Sequence, residues 1–265
     1  MDRGFIDLLR EKARSCRARI GIGLVNPSGD VLESLASAKE YAEIVAVGDT
    51  APEGIELIRS DTPEEELIRL LMSSEIDGAV RGNISATKTM RALSGAGIDV
   101  MRMALLELGG WAFFLAPVGI DEGDTLRGKL ELARRGASFL KMIGIEPRVS
   151  VLSGGRLEDV GRSNRVDTSL AHGEFVAARL REDGFDASHR GILIESACGD
   201  DLVLAPDGIS GNLLFRTMLL ICGATAMGAP VLTDEIVFVD STRARSDFTG
   251  PVILASALVS MRCGR

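Results

Sequence analysis

The distribution of apolar positions predicts β-strands alternating with helices along almost the whole chain. Nine short runs are apolar at consecutive positions, which is typical of strands covered on both faces of a sheet. The predicted strands are residues 20–24, 43–48, 78–82, 99–105, 112–118, 148–153, 191–196, 201–206 and 235–241. Because helical stretches separate most of these runs, the pattern predicts a doubly wound parallel sheet with right-handed crossovers.

Start and stop signals support three of the predicted helices. Thr62 is a candidate N-cap, Pro63 suits the first helical position, and Glu65 completes the pattern of a capping box. A second helix is predicted over residues 124–144, and a third runs from an aspartate cap over residues 167–184.

Composition and charge narrow the classes of partner. The 265 residues carry a formal net charge of −8, which disfavours duplex DNA or an anionic membrane as the main partner. Aromatic residues make up 4% of the chain, so stacking platforms for single-stranded nucleic acid are not expected. We therefore predict neither a nucleic-acid nor a membrane partner.

Cysteines and apolar segments do not indicate export. The four cysteines are scattered and suggest neither a zinc ribbon nor a disulfide framework. The first 24 residues alternate charged and apolar positions and lack the core of a signal peptide. The uncharged stretch 217–233 contains two glycines and a proline, which favours a buried helix followed by a strand over a membrane span. We expect a cytoplasmic protein with a buried helix at 211–222.

Ligands of open parallel sheets bind where strands end at the carboxyl edge of the sheet. Four loops that follow predicted strands in this sequence have unusual side-chain chemistry. In residues 80–93, Arg81 and Gly82 end a strand and Ser85 caps the next helix. The free N–H groups of that helix and the Arg81 charge can hold an anion. An equally weighted interpretation makes Ser85 a simple N-cap and Arg81 a surface charge.

The next two loops carry weaker signals. Residues 152–156 contain a Gly-Gly turn followed by Arg156. In residues 204–212, Asp207, Gly208 and Gly211 precede an apolar helix. Those glycines can expose backbone N–H groups to a ligand, but the spacing alone favours a tight turn that packs the helix closely on the sheet.

The fourth loop, residues 238–250, concentrates hydroxyl and guanidinium groups after an apolar strand. Ser241, Thr242, Arg243, Arg245 and Asp247 fall within seven positions. Arginine offers a planar fork of donors, so this composition suits recognition of a phosphate group. The alternative is a solvated charged turn.

The sequence contains no recognisable nucleophile–base pair. His172 lies in a predicted helix and His189 precedes a strand, and neither has metal-ligand spacing, which favours structural or surface roles. No metal motif, no Walker A motif and no dinucleotide-binding glycine pattern after the first strand is present.

Together these loops resemble the phosphate acetyltransferase and butyryltransferase superfamily. The segments that carry the resemblance are IDGAVRGNISATKTMRAL (76–93), DLVLAPDGISGNLLF (201–215) and FVDSTRARSD (238–247). The first of them also strongly resembles a small branch called methyltransferase subunit X (MtxX), or methanogenesis marker protein 4. The resemblance runs from residue 76 to the C-terminus.

The resemblance implies an α/β fold with two parallel-sheet domains, of the phosphate acetyltransferase (isocitrate/isopropylmalate dehydrogenase-like) type, around a ligand cleft. It implies domains of 1–110 plus 232–265 and of 111–231, the second carrying an apolar helix suited to a homodimer. It places catalytic candidates at Arg243, the phosphate-binding arginine, and Asp247. The implied ligand-binding residues are Arg81, Gly82, Asn83, Ser85, Arg91, Asp207, Gly211, Asn212, Ser241 and Thr242.

Two departures from the superfamily pattern affect the expected function. A serine-glycine pair is replaced by Arg81-Gly82, and a loop of the type D-G-P-x-x-x-D-x-A is replaced by the short ESACGDD (195–201). Three functions therefore stay open. They are an acyl- or phosphoryl-transferase that binds a coenzyme A-like or other phosphate-containing anion, a methyltransferase subunit with a partner enzyme of methanogenesis, and a non-catalytic accessory protein.

Overall fold

The computed structural model describes residue 1, residues 3–242 and residues 245–263. Its strands are β1 Arg19–Leu24, β2 Glu43–Gly48, β3 Glu56–Arg59, β4 Gly78–Val80, β5 Ala104–Leu108, β6 Trp111–Ala116, β7 Arg148–Leu152, β8 Asp186–Gly191, β9 Leu202–Leu204, β10 Thr225–Pro230 and β11 Phe238–Asp240. Its α-helices are α1 Arg3–Cys16, α2 Gly29–Ala38, α3 Pro63–Met72, α4 Ala86–Gly95, α5 Leu126–Met142, α6 Asn164–Glu182, α7 Gly208–Leu220 and α8 Thr249–Cys263.

The chain forms two compact units. The flanking unit comprises Ile6–Val100 and the described residues from Met227 onward, and the middle unit comprises Met1–Phe5 and Met101–Ala226. The sequence predicts boundaries at 110/111 and 231/232, whereas the compact units divide at 100/101 and 226/227. Residues 104–108 go with the middle unit because β5 pairs with β6 along its whole length.

In the flanking unit the strand order is β3-β2-β1-β4-β11-β10. The first five of these strands are parallel, and β10 runs antiparallel to β11. One core of this unit lies between the sheet and helices α3 and α4, and Leu67, Leu71, Leu93 and Phe238 are buried in it. The carboxyl ends of β1, β2, β4 and β11 consequently share one edge.

In the middle unit the strand order is β5-β6-β9-β7-β8. Strands β6, β9, β7 and β8 are parallel, and β5 is antiparallel to β6. One core of the unit, around Leu106, Phe113 and Val203, lies on the side of the sheet covered by α7. The prediction of an α/β fold is confirmed. The prediction that all strands are parallel is wrong for two pairs, β10 with β11 and β5 with β6.

Several predicted elements are displaced for local reasons. The strand expected over 99–105 begins later because Gly109 and Gly110, both at positive φ, close a hairpin between β5 and β6. The strand expected over 191–196 lies over Asp186–Gly191, since Gly191 takes a positive φ and the chain leaves the sheet.

Helix starts and helix burial also differ from the predictions. The α6 helix begins at a Ser163 cap rather than at Asp167, and the Thr62 side chain makes no capping hydrogen bond. The helix expected to be buried over 211–222 buries only Gly208, Gly211 and Leu219. Among the described residues, no helix is long and apolar enough to cross a membrane.

Candidate functional site

The flanking unit brings several predicted site residues to the carboxyl edge of its sheet. Strands β4 and β11 are parallel, with Val80 beside Val239, so the loops that begin at Arg81 and Ser241 start next to each other. The described members of this edge cluster are Arg81, Gly82, Asn83, Ser85, Ser241 and Thr242.

Arg81 is not a surface charge. Its side chain is buried, its Nε donates to the Asp240 carboxylate, and its Nη1 donates to the carbonyl oxygen of Ile84 at 2.8 Å. The guanidinium charge is therefore paired inside the protein, and its contacts fix the path of the loop between β4 and α4. Ligand binding by Arg81 stays a prediction.

Gly82 and Ser241 hold the two loops together. Gly82 has φ +69°, and an added Cβ would lie 2.0 Å from the carbonyl oxygen of Gly23, so only glycine fits. The Ser241 hydroxyl donates to the Gly82 carbonyl at 3.0 Å. Asn83 extends the contacts to the loop after β1, since its side-chain amide donates to and accepts from the Val25 backbone at 2.8 and 2.9 Å.

Ser85 caps α4, as the sequence predicts. Its hydroxyl accepts from the amide of Lys88 at 3.4 Å. The Ser85 amide itself donates to the carboxylate of buried Glu64 at 3.1 Å. Part of the positive potential at this helix start is thus met by a carboxylate of the chain, and of the described residues none accepts from the amides of Ala86 and Thr87.

The contacts of four further candidates of the flanking unit leave their predicted roles untested. Arg91 is exposed in the second half of α4. The Asp247 carboxylate accepts from the amide of Thr249 at 2.8 Å and so contacts the start of α8. Thr242 is half-buried, and Arg243 lies outside the described residues. The roles of these four residues stay predictions.

In the middle unit, the glycine-rich loop before α7 packs against residues 117–122. Cβ atoms added to Gly208 and Gly211 would lie 2.1 and 2.0 Å from the carbonyl oxygens of Gly119 and Pro117. The Asn212 amide donates to the Val118 carbonyl at 2.8 Å. The glycines therefore serve the close packing that their spacing favours.

Asp207 has a capping role in the same loop. Its carboxylate accepts from the amide of Ser210 at 2.7 Å at the start of α7. Burial lowers the pKa of the nearby Lys129 side chain, and the charge of the Asp207 carboxylate opposes that shift.

The segment 195–201 has a structural role at the opposite edge of the sheet. Asp200 accepts from the Ser150 hydroxyl at 2.6 Å and from Arg190 at 3.1 Å. Asp201 accepts from the amide of Arg148 at 2.8 Å. Both aspartates are buried at the amino ends of β7 and β9, away from the carboxyl edge of the sheet.

The middle unit contains a small pocket that the sequence does not predict. It lies at the carboxyl ends of β7 and β9, between α5 and α6, and its polar lining includes Lys129, Ser169 and His172. Burial lowers the pKa of Lys129, and the carboxylates of Asp207 and Asp124 oppose that shift. Burial, followed by the charge of Lys129, lowers the pKa of His172.

Comparison with known proteins gives the family. The chain is 44% identical over 264 residues to a protein of Methanosarcina mazei named "Putative methyltransferase mtx subunit X", covering 96% of this chain and 94% of that protein. It is 45% identical over 258 residues to a protein of the same name from Methanosarcina barkeri, covering 93% and 95%. The chain belongs to the methyltransferase mtx subunit X family. No family model matches it.

Solved structures agree on the fold of this mtx subunit X family member. A phosphotransacetylase from Streptococcus pyogenes superposes with a TM-score of 0.73 at 17% identity, covering 98% of this chain and 99% of that chain. A branched-chain phosphotransacylase from Enterococcus faecalis superposes with a TM-score of 0.69 at 16% identity, covering 91% and 99%. The resemblance predicted from the sequence is confirmed for the family and the fold.

His189 of this family member connects a buried serine with an exposed glutamate. Its Nε2 lies 2.8 Å from the Ser153 hydroxyl, and its Nδ1 lies 3.3 Å from the Glu174 carboxylate. This is the order of a nucleophile, a base and an orienting acid, but Ser153 is 1% exposed and α6 covers it at Gly173. The cluster therefore connects β7, β8 and α6 and offers no route to a substrate.

Metal binding finds no support in the described side chains. Within residues 1, 3–242 and 245–263 no group of three histidine, cysteine, aspartate or glutamate residues is placed to hold an ion. Cys16, Cys198 and Cys222 are exposed.

Proposed function

We propose that the chain is a transferase subunit that binds a small phosphate-containing anion at the edge cluster of the flanking unit. The observation that carries this proposal is the rigid junction of the two loops, formed by the Arg81–Asp240 ion pair and the Ser241–Gly82 hydrogen bond. Such a junction holds Ser241 and Thr242 in a fixed position, which is what a binding site needs.

The charges of the cluster indicate which group must neutralise the anion. Arg81 is paired with Asp240, and Glu64 adds a further negative charge beside α4. The cation that neutralises the anion is therefore expected from Arg243, which directly follows Thr242 in the sequence. The Thr242 hydroxyl and the amides of Ala86 and Thr87 would add donors at neighbouring positions.

Asp247 is a poor candidate for a general base in this arrangement, because its carboxylate already accepts from the Thr249 amide. Transfer would then depend on positioning the anion and on stabilising developing charge by Arg243. The base stays unassigned.

A methyltransferase subunit is the second candidate function. Relatives that match almost the full chain at 44–45% identity carry that name, whereas the phosphotransacylases are 16–17% identical. On this account the chain acts with a partner enzyme of methanogenesis. A non-catalytic accessory protein is the third candidate function. In that case the anion site would regulate the partner enzyme without catalysing a transfer.

We infer a homodimer from the exposed surface of α7. Ile209, Leu213 and Leu220 share one face of this helix and are 61%, 62% and 45% exposed, and Ile221 just beyond it is 80% exposed. An apolar face of this kind on a helix is stabilised when a second subunit covers it. Arg216 lies on the same face and would sit at the rim of the contact.

A ligand panel tests the proposed function. Thermal shifts would be measured for the full chain with inorganic phosphate, coenzyme A, coenzyme M and S-adenosylmethionine. The transferase proposal predicts stabilisation by phosphate and a larger one by coenzyme A, because binding to the folded state raises the melting temperature. Stabilisation by S-adenosylmethionine or coenzyme M alone would favour methyl transfer, and no shift with any of the four would contradict an anion site.

A further inference from the structure

We infer that Glu64 makes the proposed anion site selective for a phosphate group that carries a proton, over oxyanions such as sulfate that carry none. The inference rests on the proposed function, because it assigns the chemistry of the anion at that same site. The observation behind it is a buried carboxylate that lies beside two unpaired amides at the start of α4.

Glu64 lies between the starts of two helices. It belongs to the first turn of α3, and its Oε1 accepts from the amide of Ser85, the N-cap of α4, at 3.1 Å. The positive ends of both helices attract its negative charge. An ionised carboxylate can accept hydrogen bonds but cannot donate them, so Glu64 adds a pure acceptor to this edge of the sheet.

The second carboxylate oxygen of Glu64 is available to a ligand. Within residues 3–242 and 245–263, no hydrogen bond reaches Oε2 and no cation forms a salt bridge with the carboxylate. The residue as a whole is 8% exposed, but Oε2 itself still reaches solvent. A buried charge of this kind is stabilised when a donor approaches its free oxygen.

Two backbone donors follow Ser85 directly. The amides of Ala86 and Thr87, in the first turn of α4, donate to no acceptor in the described part of the chain. Amides at a helix start are well placed to hold an oxyanion. An oxyanion bound to them would therefore have the Glu64 carboxylate as its neighbour.

This combination of donors with one charged acceptor distinguishes between oxyanions. Sulfate has no proton near neutral pH, so its oxygens would face a carboxylate oxygen of like charge at short range, which is unfavourable. Hydrogen phosphate has the same charge but retains one proton, and its O–H group can donate to Oε2. Such an O–H···O⁻ bond is charge-assisted and strong. The proton of the ligand thus converts Glu64 from a repelling group into a binding group.

Calorimetric titration of the full chain with four inorganic anions in mildly alkaline buffer tests this selection. Phosphate and arsenate retain a proton under these conditions and sulfate and selenate do not, while each pair contains a smaller and a larger anion. The wild-type chain should bind the protonated pair at least about tenfold more tightly than the unprotonated pair. In Glu64→Gln the neutral amide can donate to either kind of anion, so the affinities for sulfate and selenate should rise about tenfold more than those for phosphate and arsenate.

Glu65→Gln is the matched control, because it removes the same charge from an exposed neighbouring position. It should leave the ratio of phosphate to sulfate affinity unchanged, and circular dichroism checks that both variants fold. Equal affinity of the wild-type chain for phosphate and sulfate, or an equal change of the ratio in both variants, would overturn selection by Glu64 and leave the anion site in place. Binding of none of the four anions would instead overturn the proposed site, and this inference with it.

Discussion

The carboxylate of Glu64 accepts a hydrogen bond from the backbone amide of Ser85 at 3.1 Å. The sequence predicts that the start of α4 can hold an external anion. The Glu64 carboxylate, which is an anion of the chain itself, already lies beside this helix start. This carboxylate is buried on α3, and its charge opposes the binding of a second negative group.

Substitution Glu64→Gln should separate the two consequences of this contact. The neutral side chain still accepts from Ser85 but loses the charge at the helix start, so stability should fall by about 0.3–1 kcal/mol. Phosphate affinity should rise severalfold because the repulsion is removed. Urea unfolding and phosphate titration measure the two effects. The control Glu65→Gln removes the same charge from an exposed neighbour; an equal rise there would show that only net charge matters.

The buried pair of Arg81 and Asp240 should be essential for the stability of the flanking unit. Asp240→Asn leaves a buried guanidinium without its counter-charge, a change that typically costs about 3–5 kcal/mol. Chemical unfolding followed by circular dichroism measures the loss. The exposed pair of Arg10 and Asp7 is the comparison, since Asp7→Asn should cost less than about 1 kcal/mol. Similar small losses in both variants would mean that Arg81 finds another partner.

Gly211 should not tolerate a side chain. Gly211→Ala places a Cβ 2.0 Å from the Pro117 carbonyl oxygen, so the backbone must shift and stability should fall by about 1–3 kcal/mol. Gly95→Ala, also in a helix but with open space around its Cβ, should instead be neutral or stabilising by up to about 1 kcal/mol. Melting temperatures of the two variants give the comparison. A stable Gly211→Ala protein would mean that the loop before α7 packs loosely.

The exposed face of α7 should hold the homodimer together. Sedimentation at micromolar concentration should show a dimer, and Leu213→Glu should convert it to a folded monomer by burying a charge in the contact. Leu157→Glu is the control, because Leu157 is 80% exposed in a different element. A monomeric wild-type chain, or a dimer that persists in Leu213→Glu, would show that this face of α7 does not hold a homodimer together.

The sequence predicts those features that depend on neighbouring residues. Ser85 is recognisable as a cap because its partner is three positions away, and the parallel strands are recognisable from their consecutive apolar residues. The sequence also carries the family resemblance in local segments. These features needed no knowledge of which strands pair.

Contacts between residues that are far apart in the sequence could not be predicted from it. Arg81 and Asp240 are 159 positions apart, and only the pairing of β4 with β11 brings them together, so Arg81 could not be distinguished from a surface charge. Lys129 and His172 line the same pocket because α5 packs on α6. In the sequence, each of them looks like an ordinary helical residue.

The most direct test of the proposed anion site compares Arg243 with Arg245. Phosphate and coenzyme A would be titrated by calorimetry into the wild-type chain and into Arg243→Ala, Arg243→Lys and Arg245→Ala. A charge-assisted contact of about 1.5–3 kcal/mol predicts a loss of roughly ten- to a hundredfold for Arg243→Ala, a partial rescue by lysine and little change for Arg245→Ala. Equal losses at both arginines, or no loss at Arg243, would contradict the account.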